Sequence, residues 1–234
     1  MQDNDFDDVL RRAFVVVPAY NEARVIGGVV EALLSAFPNV LVVNDGSSDD
    51  TGPVLRRSPA MVVTHHINLG QGAALQTGIT FALERGAEAI VTFDADGQHR
   101  VEDAVAAVRA LAAGDFDVVC GSRFLGGSSS NVPPIRRLLL KAAVGFSNLT
   151  SRTRMTDAHN GLRALSRKAA GCLDLSQSGM AHASEIIGQL RAHAMSIREI
   201  PVQIYYTEYS MAKGQSSLNA LNILFDLFIG RFLK

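Results

Sequence analysis

The run Thr92-Phe93-Asp94-Ala95-Asp96-Gly97-Gln98-His99 sets two carboxylates one residue apart, directly after an apolar stretch. Both side chains cannot enter a core. At the carboxyl edge of a parallel sheet they can hold a divalent cation through oxygen, as Mg2+ or Mn2+ prefers, with open positions left for substrate phosphates. A plain polar turn would use the same residues, so the pair gains meaning only from its company. Three other apolar runs supply that company. The first leads into Pro18-Ala19-Tyr20-Asn21-Glu22, where Pro is expected to turn the chain out of a sheet and to leave Tyr20 and Glu22 at a ligand edge. The second ends in Asn44-Asp45-Gly46-Ser47-Ser48-Asp49, a carboxylate beside a glycine turn. The third is followed by Asn68-Leu69-Gly70-Gln71-Gly72, whose glycines let backbone approach a ligand and open a helix.

Elements that would bring these ends together are legible as alternation. Ala13–Val17, Val40–Asn44, Met61–Thr64, Ala89–Phe93 and Asp117–Cys120 are short apolar runs bounded by turn residues, the pattern of buried parallel strands. Residues Glu22–Phe37, Asp50–Ser58, Gly70–Arg85 and Val101–Ala113 between them have helical length and period. Asp49-Asp50-Thr51 offers a cap to the second helix, and Gly86 stands where a helix-ending glycine belongs. Right-handed crossovers make this βαβα series an α/β, doubly wound, mostly parallel sheet with helices on both faces and ligands at the strands' carboxyl ends.

After Cys120 the pattern changes. A Gly/Ser/Pro loop over Gly121–Pro134 leads into a basic helix from about Ile135 to Leu149, then a strand at Gly161–Ser166, a helix at Ala183–Ala194, a strand at Ile197–Tyr206 and a last apolar helix at Leu218–Leu233. This half shows no core of its own, so one domain is expected over 1–234, made of a first half (1–120), a second half (121–217) and a C-terminal amphipathic helix (218–234).

At these motifs the sequence resembles glycosyltransferase family 2, the Rossmann-like GT-A nucleotide-sugar transferases, and within it the branch of dolichol-phosphate mannose synthases and polyprenyl-phosphate glucose synthases. Pro18–Glu22, Val42–Asp49, Asn68–Ala73 and Asp94–Gln98 carry the match in the first half; Gly121-Ser122-Arg123-Phe124 and Asp157-x-x-x-Gly161-Leu162-Arg163 extend it across nearly the whole chain. The resemblance implies that Pro18, Ala19, Tyr20, Glu22, Asp45, Gln71, Asp94 and Ala95 bind the nucleotide sugar. It implies that Asp94, Asp96 and Gln98 hold the metal, and that Arg123 and Asp157 work near the transferred groups. Many members have two Asp where this chain has Asn44-Asp45 and Lys where it has Gln71, which leaves both UDP- and GDP-linked donors open.

Arg137, Lys141, Gly145, Asn148 and Arg152 recur every three or four residues, an arc of about 80° on one helix face. With Arg123, and with Lys213 in the aromatic loop Tyr205–Gly214, they are candidates to bind an acceptor phosphate. A solvated basic face is the competing reading. Asp157 and Glu185 are the candidate general bases, although Glu185 would equally complement a helix N-terminus. A phosphate acceptor needs no strong base, because its oxygen is already an anion at neutral pH.

The 234 residues carry a net charge near −1, which argues against a nucleic-acid-coating protein. That total hides an asymmetry. Residues 1–134 hold 9 Lys and Arg against 17 Asp and Glu, while 135–234 hold 13 against 6. An acidic metal-holding half and a basic half suit a phosphate acceptor. Two cysteines, an acidic start and no apolar run of about 18 residues fit a cytoplasmic protein, peripheral at the cytoplasmic membrane face. The apolar stripe of the last helix is too broad for one core, and roughly 24 Å is too short to span a bilayer. Docking onto a membrane-protein partner or a homodimer mate is favoured over lipid, because the polar arc lacks Lys and Arg.

The expectation is therefore an inverting, metal-dependent glycosyltransferase moving a sugar from a nucleoside-diphosphate sugar to a polyprenyl phosphate. The alternative is transfer to a hydroxyl of a saccharide or small natural product. A sugar-nucleotide pyrophosphorylase would want a Gly-rich, Arg-bearing loop where this chain has Pro18–Glu22, and an idle nucleotide-binding subunit would not need Asp94-x-Asp96-x-Gln98.

Overall fold

The computed structural model describes residues 3–125, 155–157, 160–177 and 181–205. The Gly/Ser/Pro loop beyond residue 125, the basic helix with Arg137 and Lys141, Lys213 and the last apolar helix lie outside the described residues.

Fourteen elements follow in the order α1 (Asp3–Arg11), β1 (Ala13–Ala19), α2 (Ile26–Leu34), β2 (Asn39–Asn44), α3 (Thr51–Leu55), β3 (Met61–Thr64), α4 (Gln71–Glu84), β4 (Ala89–Thr92), α5 (Val101–Ala112), β5 (Val118–Ser122), β6 (Arg163–Ser166), α6 (Arg167–Ala170), α7 (Ala181–Ala192) and β7 (Ile197–Pro201). One seven-stranded sheet has the order β3-β2-β1-β4-β6-β5-β7. Among the described strands only β6 runs antiparallel to its neighbours, entering between β4 and β5. It comes from the half that showed no core of its own, and it ties that half into the middle of the sheet.

Side-chain alternation divides the core into two layers. Val15 and Val17 of β1 pack with Ile26 and Leu33 of α2 and with Ala104 and Val108 of α5. Phe14 and Val16 face the other way, toward Leu75 and Ile79 of α4 and Ile186 and Leu190 of α7. Strands inside the sheet are therefore covered on both faces and read as unbroken apolar runs, whereas the edge strands β3 and β7 are only partly covered. Helix α1, which the acidic start does not announce, docks on α5 with Phe6 buried beneath the Arg109 guanidinium, 4.1 Å from the ring centroid.

Several expectations are corrected in detail. Pro18 does not turn the chain out of the sheet. It lies inside β1, paired with Val43. Val16 points its carbonyl at Phe93 on the β4 side, so Pro18, two residues on, faces that same side beyond Thr92, the last β4 residue in register with β1. No ladder bond is lost by its missing N–H. Helix α2 begins at Ile26 rather than Glu22, because residues 21–23 bind Ser47, Thr51 and Asp49 instead. The Asp50 side chain makes no cap bond to α3; Asp49 accepts from the Thr51 N–H in its place. Gly86 has the expected left-handed backbone, φ +81°.

Candidate active site

The carboxyl ends of β1, β2 and β4 and the turn before α4 form one edge, held by side-chain bonds between loops that are distant in sequence. Asn21 takes a left-handed conformation, φ 53°, that aims its Oδ1 at the Ser48 N–H, 2.8 Å away, while its own N–H donates to Ser47 Oγ at 3.0 Å. Glu22 N–H donates to Thr51 Oγ1 at 2.8 Å. The Pro18–Glu22 segment is thereby fastened to the end of β2, with Tyr20 45% exposed at the rim.

Asp45 is almost wholly covered, and its carboxyl accepts from three protein donors: Leu69 N–H at 2.9 Å, Gly70 N–H at 2.8 Å and His65 Nδ1 at 2.7 Å. The resemblance puts Asp45 among nucleotide-binding residues; in the structure its carboxyl bonds the β2 end to the turn before α4 and makes one wall of this edge. Gly70, at φ +95°, is the N-cap residue of α4. Gly72 is closely packed, since any Cβ there would strike the Gln177 carbonyl and His182.

Gln71 opens α4 and reaches Asp94, with Nε2 donating to Oδ1 at 3.2 Å. The second Asp94 oxygen accepts from His99 Nε2 at 3.2 Å. The His99 side chain is 4% exposed and its Nδ1 is buried without a hydrogen-bond partner. Burial pushes the Asp94 carboxyl up, but the His99 hydrogen bond and the charges of His99, Arg163 and His182 outweigh it and leave Asp94 below its ordinary value. Asp96 goes the other way. Burial and the charge of Asp94 push it up to about 6, although the Gln98 N–H donates to its Oδ1 at 3.0 Å. Two carboxyls are thus set close enough to repel each other, the condition that a dication relieves.

The donor set fits a hard cation. Among the described residues no cage of three His, Cys, Asp or Glu exists. A cation on Asp94 and Asp96 would therefore need further oxygen ligands from outside this pair, such as the Gln98 amide, phosphate oxygens or water, which is the habit of Mg2+ and its relatives.

Arg163 and His182, 2% and 4% exposed, were not singled out as site residues from the sequence. Arg163 stands opposite both Thr92 and Cys120 in the sheet, so the antiparallel insertion of β6 is what brings its charge to bear on Asp94. The Asp157-x-x-x-Gly161-Leu162-Arg163 spacing was its signal. Gly161 packs so closely on the Asp94 carboxylate that a Cβ would overlap it, while Thr92 Oγ1 donates to the Gly161 carbonyl at 2.6 Å.

Arg123 and Asp157 are brought together. The guanidinium and backbone N–H of Arg123 both bind the Asp157 carboxylate, and Glu199 accepts from the Thr156 and Asp157 N–H groups. Glu185 is directed elsewhere: its carboxylate accepts from Ser176 N–H and Oγ and from Gln177 N–H. That geometry is a brace on the 173–177 loop. Arg137, Lys141 and Lys213 lie outside the described residues.

Among the described residues no helix is long and apolar enough to cross a membrane.

The family model for glycosyl transferase family 2 matches residues 14–173. An uncharacterized protein of Methanocaldococcus jannaschii is 36% identical over 220 residues, covering 92% of this chain and 90% of its own. The UDP-N-acetylglucosamine--dolichyl-phosphate N-acetylglucosaminyltransferase of Methanococcus voltae is 29% identical, with 92% and 94% covered. The polyprenol monophosphomannose synthase of Mycolicibacterium smegmatis is 31% identical, with 88% and 82% covered. Among solved structures, glucosyl-3-phosphoglycerate synthase from Mycobacterium tuberculosis in complex with UDP superposes with a TM-score of 0.69 at 19% identity, over 97% of this chain and 84% of that one, a likeness of fold. The Asp94–Asp96 strand end, the sheet around it and a family match over two thirds of the sequence agree: the chain is a glycosyltransferase and belongs to glycosyl transferase family 2.

Proposed function

We propose that this glycosyltransferase moves a sugar from a nucleoside-diphosphate sugar to a polyprenyl phosphate with inversion at the anomeric carbon, at the face of a membrane. The observation that carries the choice of acceptor is that both candidate bases are occupied. Asp157 accepts two bonds from one guanidinium, and Glu185 is held by Ser176 and Gln177. A hydroxyl nucleophile would need a carboxylate ready to take its proton. A phosphate monoester brings an oxygen that is already anionic and asks instead for cations. The Methanococcus voltae and Mycolicibacterium smegmatis relatives carry the names of dolichyl-phosphate and polyprenol enzymes, which supports the same choice.

In this reading the Pro18–Glu22 segment and the Asp45 wall enclose the nucleoside, and the α4 N-terminus faces the diphosphate. Asp94 and Asp96 hold Mg2+ or Mn2+, which when bound stabilises negative charge on the departing diphosphate. Gln71 and His99 fix the Asp94 carboxylate between them. Arg123, pinned by Asp157, presents a fixed guanidinium near the transferred groups, and attack comes from the face opposite the leaving diphosphate.

The test is transfer of labelled sugar from a panel of UDP- and GDP-sugars to a short polyprenyl phosphate, with Mn2+ and with chelator. Lipid-linked product that disappears with chelator or in Asp96→Ala supports the proposal. Product formed on a saccharide hydroxyl but not on the lipid phosphate overturns the acceptor, and undiminished turnover in chelator overturns the metal.

A further inference from the structure

His65 follows β3 and spans two elements that the sheet alone does not join. Its Nδ1 lies 2.7 Å from Asp45 Oδ1 and its Nε2 lies 3.0 Å from Thr77 Oγ1, in the middle of α4. A carboxylate only accepts, so Nδ1 carries a proton, and in the neutral ring Nε2 accepts from the threonine hydroxyl. The His65 side chain is 10% exposed and that of Asp45 3%, so the contact is shielded from competing water.

Asp45, His65 and Thr77 stand in the order of a nucleophile triad, but the chemistry of one is missing. Thr77 lies inside α4, where its own N–H and those of its neighbours belong to the helix ladder, so no amide pair faces Oγ1 to receive an oxyanion. What the row does have is a mechanical consequence. The Asp45 carboxyl that His65 grips also accepts from the Leu69 and Gly70 N–H groups, and Gly70 is followed by Gln71, which reaches the metal motif at Asp94. The loop is tight as well: Gly46 packs against the Ile67 and Asn68 backbone, and Asn68 Nδ2 donates to the Asp45 carbonyl at 3.2 Å.

We propose that His65 is a positioning residue of the donor site, a clamp anchored on Thr77 that orients Asp45 and so fixes the turn carrying Gly70 and Gln71 to the nucleotide. The proposal rests on the donor-binding role given above to this edge. It touches no transferred group. Its loss therefore weakens nucleotide binding in ground and transition states alike and leaves the chemical step nearly unchanged.

The two nitrogens can be removed separately. Asn places its amide nitrogen near the position of Nδ1, and Gln places its own near Nε2. The full chain is titrated with UDP and GDP in the presence of Mn2+ by calorimetry, and the donor KM and kcat are measured with whichever sugar nucleotide the wild type uses. His65→Ala and His65→Gln are expected to raise Kd and donor KM roughly tenfold, with kcat within about twofold, because a hydrogen bond to a charged group is lost. His65→Asn keeps the bond to Asp45 and is expected to restore most of that affinity. Thr77→Val removes the anchor at nearly constant volume and carries the test if His65→Ala does not fold; a raised Kd supports the clamp, and an unchanged Kd overturns it. A wild type that turns over while His65→Gln and His65→Asn bind nucleotide equally well overturns the positioning role alone. A wild type that binds neither nucleotide overturns the functional reading on which it rests.

Discussion

Arg123 grips Asp157 through two parallel bonds, Nε to Oδ2 at 2.6 Å and Nη2 to Oδ1 at 2.7 Å, and the Arg123 N–H adds a third at 3.0 Å. The Asp157 side chain is completely covered, while that of Arg123 keeps 13% exposure. The fork joins the end of β5 to the segment that leads into β6. It is thus both a structural tie between the β5 end and the approach to β6 and the device that holds Arg123 still.

Asp157→Asn therefore tests stability and pH together. Burial pushes the Asp157 carboxyl up, but the Arg123 charge and hydrogen bonds outweigh it and leave the folded-state value below 3.8. A lowered acid pKa stabilises the folded state above the unfolded value, and that contribution is lost as pH falls through the folded value. At pH 7 the variant is expected to lose about 3 kcal/mol, near the low end for breaking a covered pair because Arg123 retains some water. In urea titrations the gap between wild type and variant should begin to narrow below about pH 4, where the unfolded chain's carboxyl takes up its proton, and close as pH falls through the lower folded-state value. A gap that persists undiminished to pH 2 would contradict the assignment of its source.

Gly161→Ala addresses the opposite face of the metal motif. A methyl at 161 would occupy the space of the Asp94 carboxylate, which must then swing away from Gln71 and His99. Overpacking costs typically about 1–3 kcal/mol, but if Asp94 holds the cation as proposed, its displacement costs far more in rate. Turnover is expected to fall at least roughly a hundredfold, since a misplacement of about 1 Å has that effect. Gly188 in α7 is the control: nothing lies within 4 Å of a Cβ there, and Gly188→Ala should keep full activity and gain a few tenths of a kcal/mol from helix propensity, about 0.5–1 at most.

The strands, their order of appearance and the four loop motifs of the ligand edge are all readable in the sequence, because each is a local pattern of apolar runs and turn residues. What is not readable arises where distant segments meet. Arg163 carries a motif spacing in the sequence, but its place opposite Thr92 appears only once β6 is known to enter antiparallel beside β4, a matter of pairing and not of propensity. His65 has no periodicity to mark it; its partners lie 20 positions before it and 12 after. Glu185 at a helix start suggests either a base or a helix-dipole partner, and only the fold of the 173–177 loop shows its carboxylate occupied. Pro18 is misread as a strand end because the sequence cannot tell which side of β1 has lost its neighbour.

Crowding of Asp94 and Asp96 gives a second stability prediction. Because Asp96 is pushed up to about 6, mainly by burial and then by Asp94, its ionised form burdens the cation-free protein at pH 7. Asp96→Asn should melt at the same or a higher temperature than the wild type without metal. Mn2+ plus nucleoside diphosphate should raise the wild-type melting temperature by about 5–10 °C once free ligand exceeds Kd about a hundredfold, and should raise that of the variant far less. A metal-dependent rise of equal size in both proteins would remove Asp96 from the cation site.

The charge asymmetry of the chain leads to the last prediction. Lys and Arg outnumber Asp and Glu by 13 to 6 after residue 134, and Arg137 and Lys141 share one helical face in the sequence. If these cations meet the acceptor, the double variant Arg137→Ala/Lys141→Ala should raise the KM for a polyprenyl phosphate about tenfold at low salt, each lost charge-assisted hydrogen bond weakening binding. The donor KM should stay within about twofold, since Asp45, Gln71, Asp94 and Asp96 are left in place. Screening shortens the reach of exposed charges to about 8 Å at physiological ionic strength, so the wild-type acceptor KM should itself rise with salt and approach that of the variant. A neutral acceptor would show neither trend, because it presents no charge for the stripe to hold. Steady-state kinetics with the lipid phosphate at two salt concentrations separates the cases: equal acceptor KM values for wild type and double variant at low salt would turn the basic face back into a solvated surface.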